Sequence, residues 1–395
     1  MHVECRNTFV IGCKKMNIGL SIEHLHGKKT GVGQYGFNIA LNLAKIDHIN
    51  NYFLFSPSPL EKGDVERLSE HPNIKVLDRN VLEKFIPKDV ILIPLWLHFY
   101  LPYLCKKTGV DLYFNTGSIW PLLPFRFAKR QLVFIHDVIP LLFPECYYKH
   151  TLYYYRLSRA IHLNCYDEIL VNSHTTKRDL VKHLKVPRKR ISVTLLGKDE
   201  HFTKTNDAYR NQMVREKYGL PESYLLFTGT LEPRKNITNL LKAYAKGRAR
   251  ESLKLVITGK KGWLYEEIFE TVQKLNLDER VVFTGFVGDD DLPFIYSMAR
   301  VFVYPSLYEG FGLPVLEAMA CGVPVITSNV PSLVEVVGEA AVLVNPLDVE
   351  ALAQSIDEVV FNHVTHDRLC QASLVRAQNF TWEKTAQETL KVLLS

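Results

Sequence analysis

The sequence predicts an α/β protein built from two doubly wound, parallel-sheet domains. Three observations carry this. The 395 residues exceed the size at which a single hydrophobic core stops growing. Short β-branched and aromatic runs alternate with stretches of helical spacing along the chain. Several of those runs end in glycine loops that open helices, most clearly over residues 300–330. A hydrophobic content of 47% and a charged content of 23% suit a soluble globular chain. No apolar run reaches the roughly 18 residues that span a bilayer. The first 15 residues hold no apolar segment of signal-peptide length. Seven cysteines, at positions 5, 13, 105, 146, 165, 321 and 370, form no CxxC pair. They suit a reducing cytosol and suggest neither a disulfide frame nor a zinc site.

The net charge of +6 is unevenly spread, with residues 1–197 holding 27 Lys and Arg against 16 Asp and Glu. A basic front half attracts phosphate-rich partners: an anionic membrane surface, a pyrophosphate-linked substrate or nucleic acid. No nucleic-acid motif accompanies the charge, so nucleic acid ranks last.

Taken in order, Met16–Ile22 reads as a first strand that begins at a methionine. This suggests Met16 as a start and residues 1–15 as an extension, with an edge strand over Thr8–Gly12 as the alternative. Gly31 and Gly33 follow in an expected strand-to-helix loop, before a helix over Gly36–Lys45 with apolar residues at 37, 40, 41 and 44. A lone GxG is either a phosphate loop or a tight turn. Asn51–Ser56 and Ile74–Val76 read as strands. The aromatic residues Trp96, Phe99, Tyr100 and Trp120 are expected mostly in the core or a crevice wall, with a minority facing an acceptor lipid or sugar. Gln131–Ile135 is a buried strand that runs directly into His136 and Asp137, and a His at the carboxyl end of a parallel strand points to where such sheets bind ligands.

A helix over Lys149–Asn164 and a strand over Glu168–Asn172 come next. Ser173 is then an N-cap. Lys177, Arg178, Lys182, Lys185, Arg188, Lys189 and Arg190 form either a solvated face or a membrane-surface patch. After strand Ile191–Leu195, a polar stretch at about residue 200 is the expected hinge. Strand Tyr224–Thr228 ends at Gly229. The segment Leu231–Asn236 (LEPRKN) then places Arg234 and Lys235 beside a helix start, with Asn236 as its N-cap. Strand Leu253–Thr258 precedes a third glycine-rich loop at Gly259 and Gly262. Val281–Val287 is a strand with its exit loop. Asp289–Asp291 read as helix N-cap and first-turn acids rather than a metal-binding DxD.

The central stretch is strand Arg300–Tyr304, breaker Pro305, a loop with Gly310 and Gly312, helix Val315–Ala320 and strand Val323–Thr327. Glu309 precedes the glycines and Glu317 is placed in the first turn of the helix. Free N–H groups at such a turn attract phosphate. Ser332–Val337, strand 341–346, helix Asp348–Asn362 and a last helix capped by Thr381 complete the chain.

Several of these strings resemble one family. YPSLYEGFGLPVLEAMACGVPVI is similar to the E-x7-E region of the family 4 retaining glycosyltransferases. LEPRKN fits their G-x-L-x-x-R-K-N pattern, HDVIPLLFP their HD motif, TGVGQY their N-terminal loop, and Ser173–Leu180 their S-x-x-x-K-x-D-L helix start. The likeness runs from Met16 to Ser395 and is strongest over 224–346.

It implies the GT-B fold: two Rossmann-like domains facing across a crevice, over 1–200 and 201–378, with a helix over 379–395 crossing back to the first. The first would bind the acceptor and the second the nucleotide-sugar. Arg234 and Lys235 would hold the pyrophosphate, helped by amides at Gly312, Leu313 and Gly33. Glu317 would accept ribose hydroxyls, and Glu309 and His136 would sit beside the transferred sugar. Asp137 would support the loop or the acceptor. Phe286 and Val287 would line the base, with Gly229, Gly310 and Phe311 completing the surround.

The implied activity is retaining transfer of a hexose, mannose from GDP-mannose in the first instance. The acceptor would be a glycan or lipid-linked glycan at the cytoplasmic membrane face, and neither cofactor nor metal is expected. A cation about 4 Å from the leaving phosphate would contribute roughly 4 kcal/mol at an effective dielectric near 20. Two rivals are a sugar-nucleotide epimerase on the same fold, which would need no acceptor, and a non-catalytic glycan binder, which should have lost an acid or the cation pair.

Overall fold

A computed structural model of the chain describes residues 15–22, 31–57, 60–77, 95–117, 126–147, 152–153 and 163–395. The suggested edge strand at 8–12, Trp120 and most of the helix expected over 149–164 lie outside them. The strands form two sheets. The first holds β1 (Asn17–Ser21), β2 (Asn51–Phe55), β3 (Ile74–Leu77), β4 (Leu112–Asn115), β5 (Arg130–Ile135), β6 (Glu168–Val171) and β7 (Ile191–Val193), in the order β3-β2-β1-β4-β5-β6-β7. The second holds β8 (Tyr224–Thr228), β9 (Lys254–Thr258), β10 (Val281–Gly285), β11 (Val301–Tyr304), β12 (Val325–Ser328) and β13 (Val342–Val344), in the order β10-β9-β8-β11-β12-β13. All five pairings of the second sheet are parallel. Parallel strands covered on both faces need apolar residues on both. Hence β8 (YLLFT) and β11 (VFVY) are buried along their whole length.

The chain forms two compact units, residues 1–133 with 164–167, and residues 134–163 with 168–395. In the first, β1 pairs with β2 and β4 in register from Ile18 to Ser21. Phe53, Phe55, Trp96, Leu97, Leu101 and Leu104 close its core. Trp96 is therefore a core residue as expected, whereas Phe99 is 69% exposed.

One expectation is corrected here. Gly31 and Gly33 do not lie in a loop, because the helix begins at Gly31 and runs to Ile46, with Gly33 buried in its first turn. The buried face simply continues back from Phe37 through Gly36, Tyr35 and Gly33. Gly36 brings the helix into close approach: a Cβ there would sit 3.1 Å from Thr116 Oγ1. Close approach of this kind offsets the intrinsic helix cost of glycine, about 1 kcal/mol.

In the second unit two of the caps expected from sequence form as hydrogen bonds. Ser173 Oγ accepts from Thr176 N at the helix His174–Leu184, and Thr381 Oγ1 accepts from Lys384 N at the helix Trp382–Leu394. That last helix starts against the segment that leaves β7. Lys198 N donates to Phe380 O, Thr385 Oγ1 donates to Leu195 O, and a Cβ on Gly197 would lie 2.1 Å from Trp382 N. Helices Ala208–Tyr218, Glu266–Lys274 and His363–Ala377 were not anticipated. The first buries only Val214, so it has no apolar stripe to read.

Candidate functional site

The strand order of the second sheet reverses between β8 and β11, which are direct neighbours. In open α/β sheets ligands bind beyond the carboxyl ends of strands at such a switch point. Gly229–Asn236 leaves β8 there and Pro305–Gly312 leaves β11. Leu307 N donates to Arg234 O at 2.9 Å, joining the two loops by their backbones. After a 3-10 turn at Pro233–Lys235, Asn236 adopts φ 58°, a left-handed conformation that Asn tolerates. Asn236 does occupy the cap position of the helix Ile237–Lys246, but its side chain does not cap it. Its amide donates instead to Pro305 O at 3.0 Å and Pro346 O at 2.7 Å, binding three loops into one base.

Four donors converge on one carboxylate oxygen above that base. Glu309 Oε1 lies 2.8 Å from Arg234 Nη1, 2.7 Å from Lys235 Nζ, 2.9 Å from Tyr304 Oη and 2.7 Å from Ser306 Oγ. Arg234 also pairs through Nη2 with Glu232, and its Nη1 donates to Tyr308 O. All of these charged side chains are buried. Burial alone would raise the pKa of Glu309, yet Arg234 and Lys235 bring it down to about 2. For Arg234 burial opposes the charge, but Glu309 and Glu232 more than compensate and hold it protonated. Burial and then the Arg234 charge depress the Lys235 ammonium, against the pull of Glu309 and Glu232.

Glu232 was missed in the sequence, although LEPRKN places an acid two residues before the arginine. It makes the cluster formally neutral, two cations against two carboxylates, which is what permits its burial.

The segment from β5 closes on the same loop. A Cβ on Gly310 would come 2.2 Å from His136 O and 3.1 Å from Asp137 Cβ, so only glycine allows this contact. Ser173 Oγ donates to Gly310 O at 2.7 Å, and Asn172 Nδ2 donates to His136 O at 2.8 Å. Asp137 Oδ1 accepts from Ile139 N at 3.0 Å, and its charge adds to the field that keeps Arg234 protonated. The His136 ring is mostly buried, 4.7 Å from Phe134. Tyr308 spans the region: its hydroxyl donates to Asp179 while its carbonyl accepts from Arg234.

Gly312 caps the helix Leu313–Ala320 at φ 110°, and a Cβ there would strike Leu333 Cδ2 at 2.4 Å. The helix starts two residues earlier than expected, so Glu317 is in its second turn, not its first. Glu317 is buried and accepts from Tyr296 Oη at 3.0 Å. Burial raises its pKa to about 8; the Tyr296 bond opposes the rise, and the charges of Asp199 and Asp289 add to it. Phe311 packs edge-on against Phe380, ring centroids 6.0 Å apart. Gly229 has φ 156°, with Lys235 Cε 3.7 Å from where a Cβ would stand. Phe286 is 36% exposed and Val287 buried, just past β10. Gly33 belongs to the other unit. The acids at 289–291 do not cap by side chain: Asp291 instead binds Lys217 Nζ at 2.6 Å and Tyr218 Oη at 2.9 Å.

The arrangement holds paired cations, carboxylates and a closely packed glycine loop at one strand switch, a constellation suited to a diphosphate ester of a polyhydroxylated group. Comparison with known proteins agrees. The family described as Glycosyltransferase Family 4 matches residues 30–200, and that described as Glycosyl transferases group 1 matches residues 211–373. An O-antigen chain mannosyltransferase B of Escherichia coli is 30% identical over 380 residues, covering 95% of this chain and 98% of that protein. Among solved structures, the sucrose-phosphate synthase of Thermosynechococcus elongatus superposes with a TM-score of 0.74 at 23% identity, over 96% of this chain and 98% of that one. The Anabaena protein Alr3699/HepE, solved with UDP and glucose, gives 0.70 at 19% identity, over 96% and 99%. The chain is a glycosyltransferase of family 4, with the GT-B fold.

Proposed function

We propose that the protein transfers mannose, with retention at the anomeric carbon, from GDP-mannose to a growing glycan or lipid-linked glycan in polysaccharide assembly. The observation that carries this reading is the buried convergence of Arg234 and Lys235 on Glu309 Oε1. Breaking a sugar–phosphate bond leaves growing negative charge on the nucleotide's β-phosphate. Two preorganised cations stabilise that charge more than they stabilise the ground state. In this role they replace a metal ion, so none is called for. When the diphosphate takes the cations, Glu309 is released toward the sugar. There it orients the hydroxyls and supports the oxocarbenium-like charge, with His136 beside it.

Backbone amides at Gly312 and Leu313, at the start of the helix Leu313–Ala320, meet the phosphates. Glu317 meets the ribose hydroxyls, and Phe286 and Val287 flank the base. The mannose assignment is supported by the name of the nearly full-length E. coli relative. Among the described residues no helix is long and apolar enough to cross a membrane. The reading places the enzyme in the cytoplasm, meeting its acceptor at the inner membrane face.

A thermal-shift panel of GDP-mannose, GDP, UDP-glucose, UDP-GlcNAc and UDP tests the donor. A ligand at a hundred times its dissociation constant adds about 2.7 kcal/mol of stability. Stabilisation by guanosine ligands alone is expected. Stabilisation by uridine ligands alone would discard GDP-mannose while leaving the catalytic residues standing, and no response to any of them would remove nucleotide-sugar binding from the reading.

A further inference from the structure

A cavity lies in the same unit, away from the strand switch. It occupies about 720 Å³ between the helix His174–Leu184 and the helix Pro331–Val337, and shares no lining residue with the Arg234–Glu309 cluster. Four cationic side chains line it: Lys177, Arg178 and Lys182 from the first helix, and Arg188 from the turn that follows it.

The acids nearby are already engaged. Glu335 also lines the cavity, but its oxygens accept from His174 N and Thr175 N at 2.8 Å each and from Thr175 Oγ1 at 2.5 Å. Its charge is thus directed at a helix start rather than at the cations. Asp179 is 3.8 Å from Arg178 Nε and accepts the Tyr308 hydroxyl. Among the described residues no carboxylate forms an ion pair with Lys177, Lys182 or Arg188. Lys177 is anchored on Ile191 O, and its pKa is depressed by burial and then by the charge of Arg188. Like charges sharing one concave space, whose one lining carboxylate is bound to a helix start, favour an anion there. The cavity falls within the range of small-molecule sites, about 300–1,000 Å³, and Val181 and Val334 give it an apolar side.

We propose that this cavity binds a phosphate-bearing ligand, held by Lys177, Arg178, Lys182 and Arg188. Charge-assisted bonds from several cations to one phosphate group are the strong class of polar contact. Either a soluble diphosphate or the headgroup of an anionic lipid supplies that chemistry.

The test uses the full chain and inorganic pyrophosphate, titrated by calorimetry. Lys182→Ala combined with Arg188→Ala changes two exposed side chains and should weaken one class of site by roughly tenfold for each cation removed. Lys235→Ala should retain that site, which separates it from the donor cluster. Lys62→Ala with Lys75→Ala, the same loss of charge elsewhere, should leave the titration unchanged. Superimposable curves for the wild type and the Lys182/Arg188 variant would overturn the proposal, as would an equal loss in the Lys62/Lys75 control. Sedimentation with phosphatidylcholine vesicles containing phosphatidylglycerol then separates the sources. Retention that the Lys182/Arg188 variant loses assigns a lipid headgroup; pyrophosphate binding without retention assigns a soluble ligand.

Discussion

Lys235 Nζ and Glu309 Oε1 stand 2.7 Å apart, both buried, on loops that leave two neighbouring parallel strands. Arg234 reaches the same oxygen. A cation left unpaired at this depth would be costly to bury. Glu309 therefore offsets the burial of both cations and holds them in place; in the proposed reading a diphosphate would exchange one anion for another.

From this exchange follows a division of labour between Lys235 and Glu317. Lys235→Ala should lower kcat by about 10²–10³-fold, the usual loss for one donor aimed at developing charge, with a smaller change in donor affinity. Glu317→Ala should chiefly weaken donor binding, because the proposed reading gives it the ribose to hold. Steady-state kinetics with a direct donor-binding measurement separates the two. Equal losses of both parameters in both variants would remove the assigned roles.

Stability should depend on pH through Glu317 and Glu309, with opposite sign. Glu317 is raised in the folded state from 4.5 to about 8. The folded protein therefore keeps a proton that the unfolded chain releases, and this contribution is full below about 4.5 and is lost as pH rises to about 8. Glu309 is lowered from 4.5 to about 2, so its contribution is present above about 4.5 and is lost as pH falls toward 2. Melting temperature against pH should show Glu317→Gln flattening the decline between 4.5 and 8 while leaving the acid limb intact. A parallel decline in the variant would contradict the buried, protonated Glu317.

Much of this was legible in the sequence because it is local. The run from Arg300 to Val330 states a strand, a glycine loop, a helix and a strand in consecutive residues, and all four formed. What did not read is what the fold brings from afar. Arg234 and Lys235 look like free cations in LEPRKN, since nothing in that string says that Glu309, more than seventy positions on, will meet them. Only the adjacency of β8 and β11 does that. Asn236 has the chemistry of a cap, but its left-handed backbone turns the amide toward Pro305 and Pro346. The helix Ala208–Tyr218 buries a single apolar residue, so periodicity had nothing to detect. The apolar spacing at 37, 40, 41 and 44 leaves Gly33 outside the helix, whereas the helix starts at Gly31 and buries Gly33.

Turnover should be insensitive to metal removal. The reading gives leaving-group charge to Arg234 and Lys235, and these are fixed by protein contacts alone. Assays with EDTA, and with magnesium or manganese restored, should give the same kcat once the enzyme has been freed of metal beforehand. A loss on chelation that the metal reverses would require a different account of phosphate departure.

The contact between Gly310 and the His136–Asp137 segment gives the sharpest test of the site's construction. A methyl group on Gly310 would lie 2.2 Å from the His136 carbonyl oxygen, a backbone atom that cannot rotate away. It is held in place by Asn172, while Ser173 holds the carbonyl of Gly310 itself. Gly310→Ala must therefore push the glycine loop away from His136, at a cost of about 1–3 kcal/mol for an overpacked position. The same shift moves Glu309, one residue earlier, off the cations. Activity should fall further than the loss of stability explains. Gly288→Ala is the matched control, since a Cβ there meets nothing within 4 Å, and it should change neither. Melting temperature and kcat measured on both variants decide the matter: a Gly310→Ala protein with wild-type turnover would mean that His136 and the glycine loop need not touch for the reaction to proceed.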